Sequence, residues 1–319
     1  MLLDTPTLYY RAFFALPDSI TAPDGRPVNA VRGTLDFITH LVTHYRPDRL
    51  IACFDADWRP AFRVELLPSY KAHRVVEEVA PAPVEAGGAA EKGGASASVE
   101  EIPDTLTPQV QMLLEVLAAF GIADGWSPGF EADDAIAAYA ALHRAKDGGP
   151  VDVVTGDRDM FQLISDAEGV RVFNIARGVA KLEVLGDAEL RAKYGVSGAQ
   201  YADFATLRGD ASDGLPGVAG IGEKTASALL AEYGSLAGLL AAAGDAESAV
   251  KPAVRKRLEA ATDYLAVAPR VVQVRADAPV TAAESLLPAA PAHPEELEKL
   301  AAQYGLANPI KRLAKVLAG

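Results

Sequence analysis

The sequence predicts an α/β fold with a parallel sheet, followed by a portion that is helical throughout. Three short apolar runs of strand character each end in an aspartate: Leu2-Leu3-Asp4, Leu50-Ile51-Ala52-Cys53-Phe54-Asp55 and Val151-Asp152-Val153-Val154-Thr155-Gly156-Asp157. Segments of helical spacing separate them, the alternation that gives βαβ units and a parallel sheet. From about Ala199 the chain reads as wholly helical.

The elements follow in order. Residues 1–70 read as strand, helix, strand. The helix is marked by Val31, Leu35, Ile38, Leu41 and Val42, which recur at three- and four-residue steps. Residues 80–101 consist mainly of Ala, Gly, Pro, Ser and Glu without an aromatic residue. Such a segment cannot bury enough apolar surface to offset its ordering entropy, so it is expected to be mobile. Order resumes at Thr107-Pro108, where Val110, Leu113, Leu114 and Leu117 give an amphipathic helix that stops near Gly121. A helix from Glu131 to Leu142 opens after Pro128-Gly129. Strands follow at 151–155 and Val170–Phe173, with a hairpin strand at Lys181–Val184. After an Ala/Pro-rich stretch from Pro279 to Pro294, a last helix is expected from Pro294 to Tyr304.

Composition sets the outer limits. Half of the 319 residues are hydrophobic and 23% are charged, ordinary for a soluble globular protein of one large or two smaller domains. The one cysteine, Cys53, excludes an internal disulfide and fits a reducing cytoplasm. No run approaches the roughly 20 apolar residues of a membrane span. Met1-Leu2-Leu3-Asp4 lacks the regions of a signal peptide, so a cytoplasmic, membrane-free protein is expected. The net charge of −13 opposes simple electrostatic binding of nucleic acid. However, many of the acids are localised, and local basic residues can still act.

The chemistry is carried by nine of the acids: Asp4, Asp55, Glu131, Asp133, Asp134, Asp157, Asp159, Asp210 and Asp213. Three of them follow strands, and parallel strands present their carboxyl ends along one edge, where open α/β folds bind ligands. Glu131 and Asp134 share a helix face, and the helix dipole alone would favour acids there. Carboxylates gathered together repel unless a cation sits among them. An oxygen-only set suits Mg²⁺ or Mn²⁺, and a site for two or more such ions points to phosphodiester chemistry.

Two further patterns bear on nucleic acid. In Gly209-Asp-Ala-Ser-Asp-Gly-Leu-Pro-Gly-Val-Ala-Gly-Ile-Gly-Glu-Lys-Thr-Ala226, the core Gly217-x-x-Gly220-x-Gly222 leads into a helix starting near Thr225. Glycines let backbone approach a phosphate, and a helix start attracts the anion. A dinucleotide loop would need a strand immediately before it, and Gly209–Pro216 is polar and turn-forming. Lys224, with Lys251, Arg255 and Arg257, could add contacts to a duplex backbone. Arg59, Arg63, Tyr70, Lys71, His73 and Arg74 interleave bases with an aromatic residue, a pattern suited to a strand end with unstacked bases. Arg11 could sit over the same edge as Asp4. His40 and His44 have no third soft ligand, so zinc is not expected. No Gly-x-Ser-x-Gly or Walker-type loop is present.

Taken together, these motifs resemble those of the structure-specific 5′ nucleases: flap endonucleases and the 5′–3′ exonuclease domain of bacterial family-A DNA polymerases. The resemblance reaches to about residue 275 and rests on Asp4 with Tyr10-Arg11, Phe54-Asp55-Ala56, Ser69-Tyr-Lys-Ala-His-Arg74, Gly129-Phe-Glu-Ala-Asp-Asp134, Thr155-Gly-Asp-Arg-Asp159, and Gly209-Asp-x-Ser-Asp213 running into the glycine-rich hairpin. It implies a three-layer α/β/α, PIN-like core over 1–198, including a helical arch over 71–108. A helix–hairpin–helix-type module gripping duplex would span 199–275, and a tail over 276–319 would pack back on the core. All nine acids would be metal ligands. Lys71, Arg74 and Arg11 would be catalytic, the first two at the scissile phosphate. Arg63, Tyr70, Gly217, Gly220, Gly222, Lys224 and Thr225 would contact DNA, and Ser212, Val218, Gly220 and Ile221 would hold K⁺ at the hairpin. The implied activity is hydrolysis at 5′ flaps, nicks or 5′ ends of DNA, with RNA of RNA–DNA hybrids as a further substrate, by a monomer. A PIN-like ribonuclease and a non-catalytic DNA-binding scaffold are the alternatives. The hairpin opposes the first, and the acid set opposes the second, since binding alone gains nothing from acids facing phosphates.

Overall fold

The computed structural model describes residues 1–79, 97–100, 103–146, 148–281 and 284–319. They form two compact units. The first comprises Met1–Ala56, Pro103–Tyr201 and Val274–Gly319, and the second Asp57–Ile102 and Ala202–Gln273. The division differs from the sequence-based boundaries: residues 57–79 and 97–100 group with the helical unit, whereas 103–108, the end of the expected arch, group with the α/β core.

The first unit is built on a six-stranded sheet of β1 (Leu2–Asp4), β2 (Ile51–Cys53), β5 (Ala123–Gly125), β6 (Val151–Thr155), β7 (Val170–Asn174) and β8 (Glu183–Leu185). Its order is β5-β2-β1-β6-β7-β8, parallel except for β8, which pairs antiparallel with β7. The chain works outward from β1 through β2 to β5, then crosses back to β6 on the other side of β1. Strand order therefore reverses between β1 and β6, the place where an open α/β sheet forms a crevice at its carboxyl edge.

Strand alternation assigns the two faces. Leu3, Ala52, Phe54 and Val154 point into one core, shared with α1 (Thr5–Ala15), α2 (Asn29–Tyr45), α4 (Thr107–Phe120), α12 (Pro294–Gln303) and α13 (Ala307–Leu317). Because strand side chains alternate, Asp4, Cys53, Asp55, Val153 and Thr155 belong to the opposite face. There α5 (Ala132–Arg144) packs on β1, β2 and β5. Gly125 permits the close approach, since a Cβ there would lie 2.7 Å from the Tyr139 ring. A further helix, α6 (Asp187–Tyr194), follows β8. The three-layer α/β/α architecture is thus present.

Four elements of this unit were missed by sequence reading: α1, β5, α6 and α13. Helix α1 has an evident start, because the Asp4 carboxylate accepts from the Thr7 N–H at 3.1 Å and Pro6 opens the first turn. At the other end of the chain, the expected last helix closes at Gln303, and α13 follows after a short link. Ile310, Leu313 and Leu317 of α13 recur at helical spacing and enter the core.

The second unit contains α3 (Ala61–Leu66), β3 (Val75–Val79), β4 (Ala97–Glu100), α8 (Glu223–Tyr233), α9 (Leu236–Gly244), α10 (Pro252–Ala260) and α11 (Thr262–Val272). Helix α7 (Gly198–Arg208) carries the chain into it. Of the implied helical arch, the described residues form one 3₁₀ turn at Ala72–Arg74 and the antiparallel pair β3–β4. Residues 97–100, expected to be mobile, are therefore a paired strand. The rest of the segment expected to be mobile, 80–96 and 101, lies outside the described residues. Tyr70, Ala205, Leu215, Val271 and Val272 form this unit's small core.

Leu313 is fully buried in the first unit's core. Leu313→Ala should lower unfolding stability by about 2–5 kcal/mol. Chemical denaturation checks this, and a loss within about 0.5 kcal/mol would show that α13 does not belong to the cooperative core.

Candidate active site

Asp4 occupies the end of β1 beside the strand-order reversal and is 3% exposed. One oxygen accepts from the Thr155 hydroxyl at 2.5 Å and the Thr7 hydroxyl at 2.5 Å, and the other from the Thr7 N–H. Burial pushes this carboxyl above the usual range; the Thr155 and Thr7 donors pull it back, and Asp157 adds like-charge repulsion. Thr155 works in both directions, since its oxygen also accepts from the Asp157 N–H at 2.9 Å. Asp157 in turn accepts from the Asp159 N–H at 3.0 Å. The β6 end is thus a hydrogen-bonded turn that fixes Asp157 near Asp4 and ties the Asp159 backbone to Asp157.

The second cluster surrounds the start of α5. Asp55 accepts from the Ala132 N–H at 2.8 Å, so the carboxyl end of β2 caps this helix from outside. Glu131 is the N-cap residue, with Asp133 and Asp134 in the first turn. Four carboxylates therefore face the positive end of a helix, which offsets part of their repulsion. Asp134 is fully buried, and its two oxygens accept the Glu131 N–H at 3.3 Å and the Arg275 N–H at 2.8 Å. Its first role is to buttress the helix start. Arg11 lies on α1 and donates to the Ala176 carbonyl at 2.9 Å, beyond the end of β7.

Seven of the nine acids thus lie at one edge of the first unit. Among the described residues, no group of three or more His, Cys, Asp or Glu side chains stands as a ready metal cage. The donor chemistry nevertheless fits a hard cation. The nearby thiol, Cys53, is buried, and burial together with the charges of Asp4 and Asp133 pushes it far up, so it stays neutral. The available ligands are oxygens alone, which suit Mg²⁺ or Mn²⁺.

The second unit holds Asp210 and Asp213. Asp210 accepts from the Ser212 N–H at 3.0 Å and hydroxyl at 2.5 Å, and pairs with Arg208 at 3.1 Å. Asp213 pairs with Arg74 at 3.3 Å, and Arg74 also donates to the Ser212 carbonyl at 2.8 Å. Lys71 carries a positive φ of 49°, rare for a residue with a side chain, and its N–H donates to the Asp213 carbonyl at 3.0 Å. Gly214 at the same turn has φ 71°, and a Cβ there would strike the Ser69 carbonyl.

Several predicted DNA contacts need correction. Arg63 is 2% exposed, donates to the Val271 carbonyl at 2.9 Å and lies over the Phe62 and Tyr70 rings. Tyr70 is buried in the unit's core and cannot stack on a base as placed. Arg59 likewise donates inward, to the carbonyls of Tyr70 and Pro68. The interleaving of basic and aromatic residues was therefore mostly a core pattern, with the guanidiniums satisfying buried carbonyls. Gly217 is also buried, its φ of 66° closing the hairpin against Arg208. Arg255 ties α10 to the carbonyl of Asp245. Gly220, Gly222 and Lys224 remain exposed, Thr225 is half-buried, and a Cβ on Gly222 would meet nothing. At the predicted K⁺ ligands, the Gly220 carbonyl already accepts from the Arg257 guanidinium at 3.0 Å and the Val218 carbonyl from the Ile221 N–H at 2.8 Å. A guanidinium on the Gly220 oxygen opposes a second cation there.

Sequence reading missed Thr7, Thr155 and the Ala132 and Arg275 N–H groups, which hold the acids in place. Thr7, three residues after Asp4, matches the spacing of a helix cap and was readable as one.

Comparison with known proteins gives the family and the fold. Residues 1–195 match the family model described as 5′-3′ exonuclease, N-terminal resolvase-like domain, and residues 196–295 match 5′-3′ exonuclease, C-terminal SAM fold. A 5′-3′ exonuclease of Streptomyces coelicolor is 55% identical over 99% of both chains, and one of Mycobacterium tuberculosis is 48% identical over 99% of this chain and 97% of its own. DNA polymerase I of Mycobacterium bovis is 40% identical over 75% of this chain and 24% of its own length. Among solved structures, the T5 D15 protein co-crystallised with metal ions shares the fold at TM-score 0.63 and 19% identity, covering 99% of this chain and 98% of its own. The catalytic core of Rad2 in complex with DNA substrate does so at 0.58 and 16%, covering 99% and 90%.

The raised Asp4 carboxyl predicts a stability cost with a definite sign. A folded-state pKa above the unfolded one means that the charged form destabilises the fold. The cost is absent below the ordinary carboxylate range and grows as pH rises through the raised folded value. In EDTA, Asp4→Asn should therefore be more stable than the parent at neutral pH by about 1–2 kcal/mol, with the gap closing towards pH 4. Thermal melts across that range measure it; a gap that widens on acidification contradicts the assignment.

Proposed function

The chain belongs to the 5′–3′ exonuclease family, and from that premise we propose that it is a divalent-metal-dependent, structure-specific 5′ nuclease that leaves 5′-phosphates on DNA. The observation that carries this reading is the set of carboxylates at the carboxyl edge where strand order reverses: Asp4, Asp55, Glu131, Asp133, Asp134, Asp157 and Asp159. Asp210 and Asp213 are proposed as further ligands. Two or more Mg²⁺ or Mn²⁺ ions held by these oxygens would supply an activated water and neutralise charge on the leaving oxygen.

The protein's own part is positioning. Thr155, Thr7 and the α5 start hold the carboxylates in place, so that little reorganisation remains at the moment of reaction. Lys71 and Arg74 are proposed to stabilise the scissile phosphate, with Arg11 as a third cation at the first unit's edge. Lys71 is held by a left-handed backbone, which costs energy and is typical of functional positions. Arg74 must exchange its contact with Asp213 for the phosphate.

Duplex grip is assigned to the exposed hairpin residues Gly220, Gly222 and Lys224, with Thr225 at the start of α8. Gly222 caps α8 without a side chain, which leaves the first N–H groups of the helix open to a phosphate oxygen. K⁺ at this hairpin would have to share the Gly220 carbonyl with Arg257, and no role is assigned to it. The substrates proposed are DNA with 5′ flaps, nicks or 5′ ends and RNA of RNA–DNA hybrids, acted on by a monomer in the cytoplasm. Among the described residues, no single helix is long and apolar enough to cross a membrane.

The decisive assay uses purified protein with Mg²⁺ or Mn²⁺ on 5′-flap, nicked, blunt and single-stranded DNA and on RNA. Asp157→Asn should slow cleavage by about 10³-fold while duplex binding in EDTA persists. Near-normal cleavage would refute the ligand role.

Grip and chemistry separate in a second experiment. Gly222→Val should fold normally, because its side chain meets open space, and should weaken duplex binding. Lys71→Ala should mainly slow single-turnover cleavage at saturating enzyme. Equal single-turnover losses with unchanged affinity would reverse these assignments.

A further inference from the structure

Arg208 closes α7 two residues before Asp210, and its surroundings are unusual for an arginine. Its side chain is 11% exposed, and Asp210 opposite is 10% exposed. Nε donates to the Gly209 carbonyl at 3.0 Å and Nη2 to Asp210 at 3.1 Å, while the guanidinium lies 5.3 Å from the centre of the Phe204 ring. Nη1 is buried without a hydrogen-bond partner. A buried, unsatisfied nitrogen costs stability, and the contacts to Gly209, Asp210 and Phe204 are what offset it. The far oxygen of Asp210 is held by the Ser212 N–H and hydroxyl. Both oxygens of this carboxylate are therefore tied to the protein, one of them by a full positive charge in a poorly screened place.

From this geometry we infer that Arg208 is a positioning residue for Asp210: it fixes the carboxylate plane and offsets its charge, so that Asp210 attracts a divalent cation weakly and exchangeably. The inference rests on the proposed role of Asp210 as a metal ligand. A carboxylate free of Arg208 would present its whole charge and bind the cation more tightly, while one without the Ser212 and Arg208 contacts would also lose its aim. Arg74 plays the corresponding part at Asp213 but is 35% exposed and must reach the phosphate; Arg208 is enclosed and stays.

The test separates charge from hydrogen bonding and has a readout apart from cleavage. Arg208→Gln keeps a donor but removes the charge. Arg208→Lys keeps the charge. Arg208→Met keeps only the apolar stem over Phe204. Mn²⁺ binding to each variant of the full chain is measured by electron paramagnetic resonance and by the Mn²⁺-induced rise in melting temperature, beside the Mg²⁺ dependence of cleavage. Arg208→Gln should bind the weaker class of Mn²⁺ about tenfold more tightly and reach half-maximal rate at lower Mg²⁺, whereas Arg208→Lys should behave as the parent. In an Asp210→Asn background, Arg208→Gln should change nothing. If Arg208→Gln and Arg208→Met both fold and leave Mn²⁺ binding unchanged while Asp210→Asn alters it, the inference fails and the metal role of Asp210 stands. If Asp210→Asn itself leaves Mn²⁺ binding unchanged, the ligand assignment fails and takes the inference with it.

Discussion

Repulsion among carboxylates at one sheet edge is the constraint around which the first unit is arranged. Strand alternation and parallel order bring Asp4, Asp55 and Thr155 to the same face, and nothing in the sheet itself would keep the acids apart or aimed. The work is done by dipoles: two threonine hydroxyls on Asp4, and the start of α5 on Asp55, Glu131, Asp133 and Asp134. Neutral donors stabilise the charged form without cancelling the charge, so the edge still attracts cations.

The second unit follows the opposite policy. Its core is small, and arginines rather than aliphatic side chains finish it: Arg59 and Arg63 satisfy buried carbonyls around Tyr70, and Arg208 closes the end of α7. Each guanidinium supplies several donors on one planar group, an efficient way to saturate carbonyls where turns are dense and regular pairing is sparse. The glycines of the hairpin fall into two kinds under the same logic. Gly209, Gly214 and Gly217 have positive φ and backbone packed against them, so they shape the turn. Gly222 has neither, and a Cβ there would meet open space.

The sequence made the α/β class, the carboxyl-edge acids and the helical second half legible, because strand runs ending in Asp and three- to four-residue spacing are local signals. Short elements without a pattern of their own were not. β5 is three residues, Ala123–Gly125, one of them a glycine. Helix α1 was hidden because its apolar residues, Tyr9, Tyr10, Phe13 and Phe14, form no clean stripe, and Phe14 is 74% exposed. The misreading of Arg63 and Tyr70 has a different origin. A basic residue beside an aromatic one looks the same in sequence whether it faces a nucleic acid or a buried carbonyl, and only the fold tells the two apart. The supporting donors of Asp134 were illegible for a similar reason, since the Arg275 N–H is 141 residues away and carries no side-chain signature.

The first unit's core is assembled from three stretches of chain, and its last contributions, Ile310, Leu313 and Leu317, come from the final helix described. The second unit is complete by Gln273. During synthesis the helix α2, made early, therefore waits for nearly the whole polypeptide before α13 packs against it, while the helical unit can close earlier. A nascent chain that has not yet released residues beyond 307 would hold a closed helical unit tethered to a first unit whose helix α2 still lacks its partner α13, the kind of intermediate that chaperones recognise.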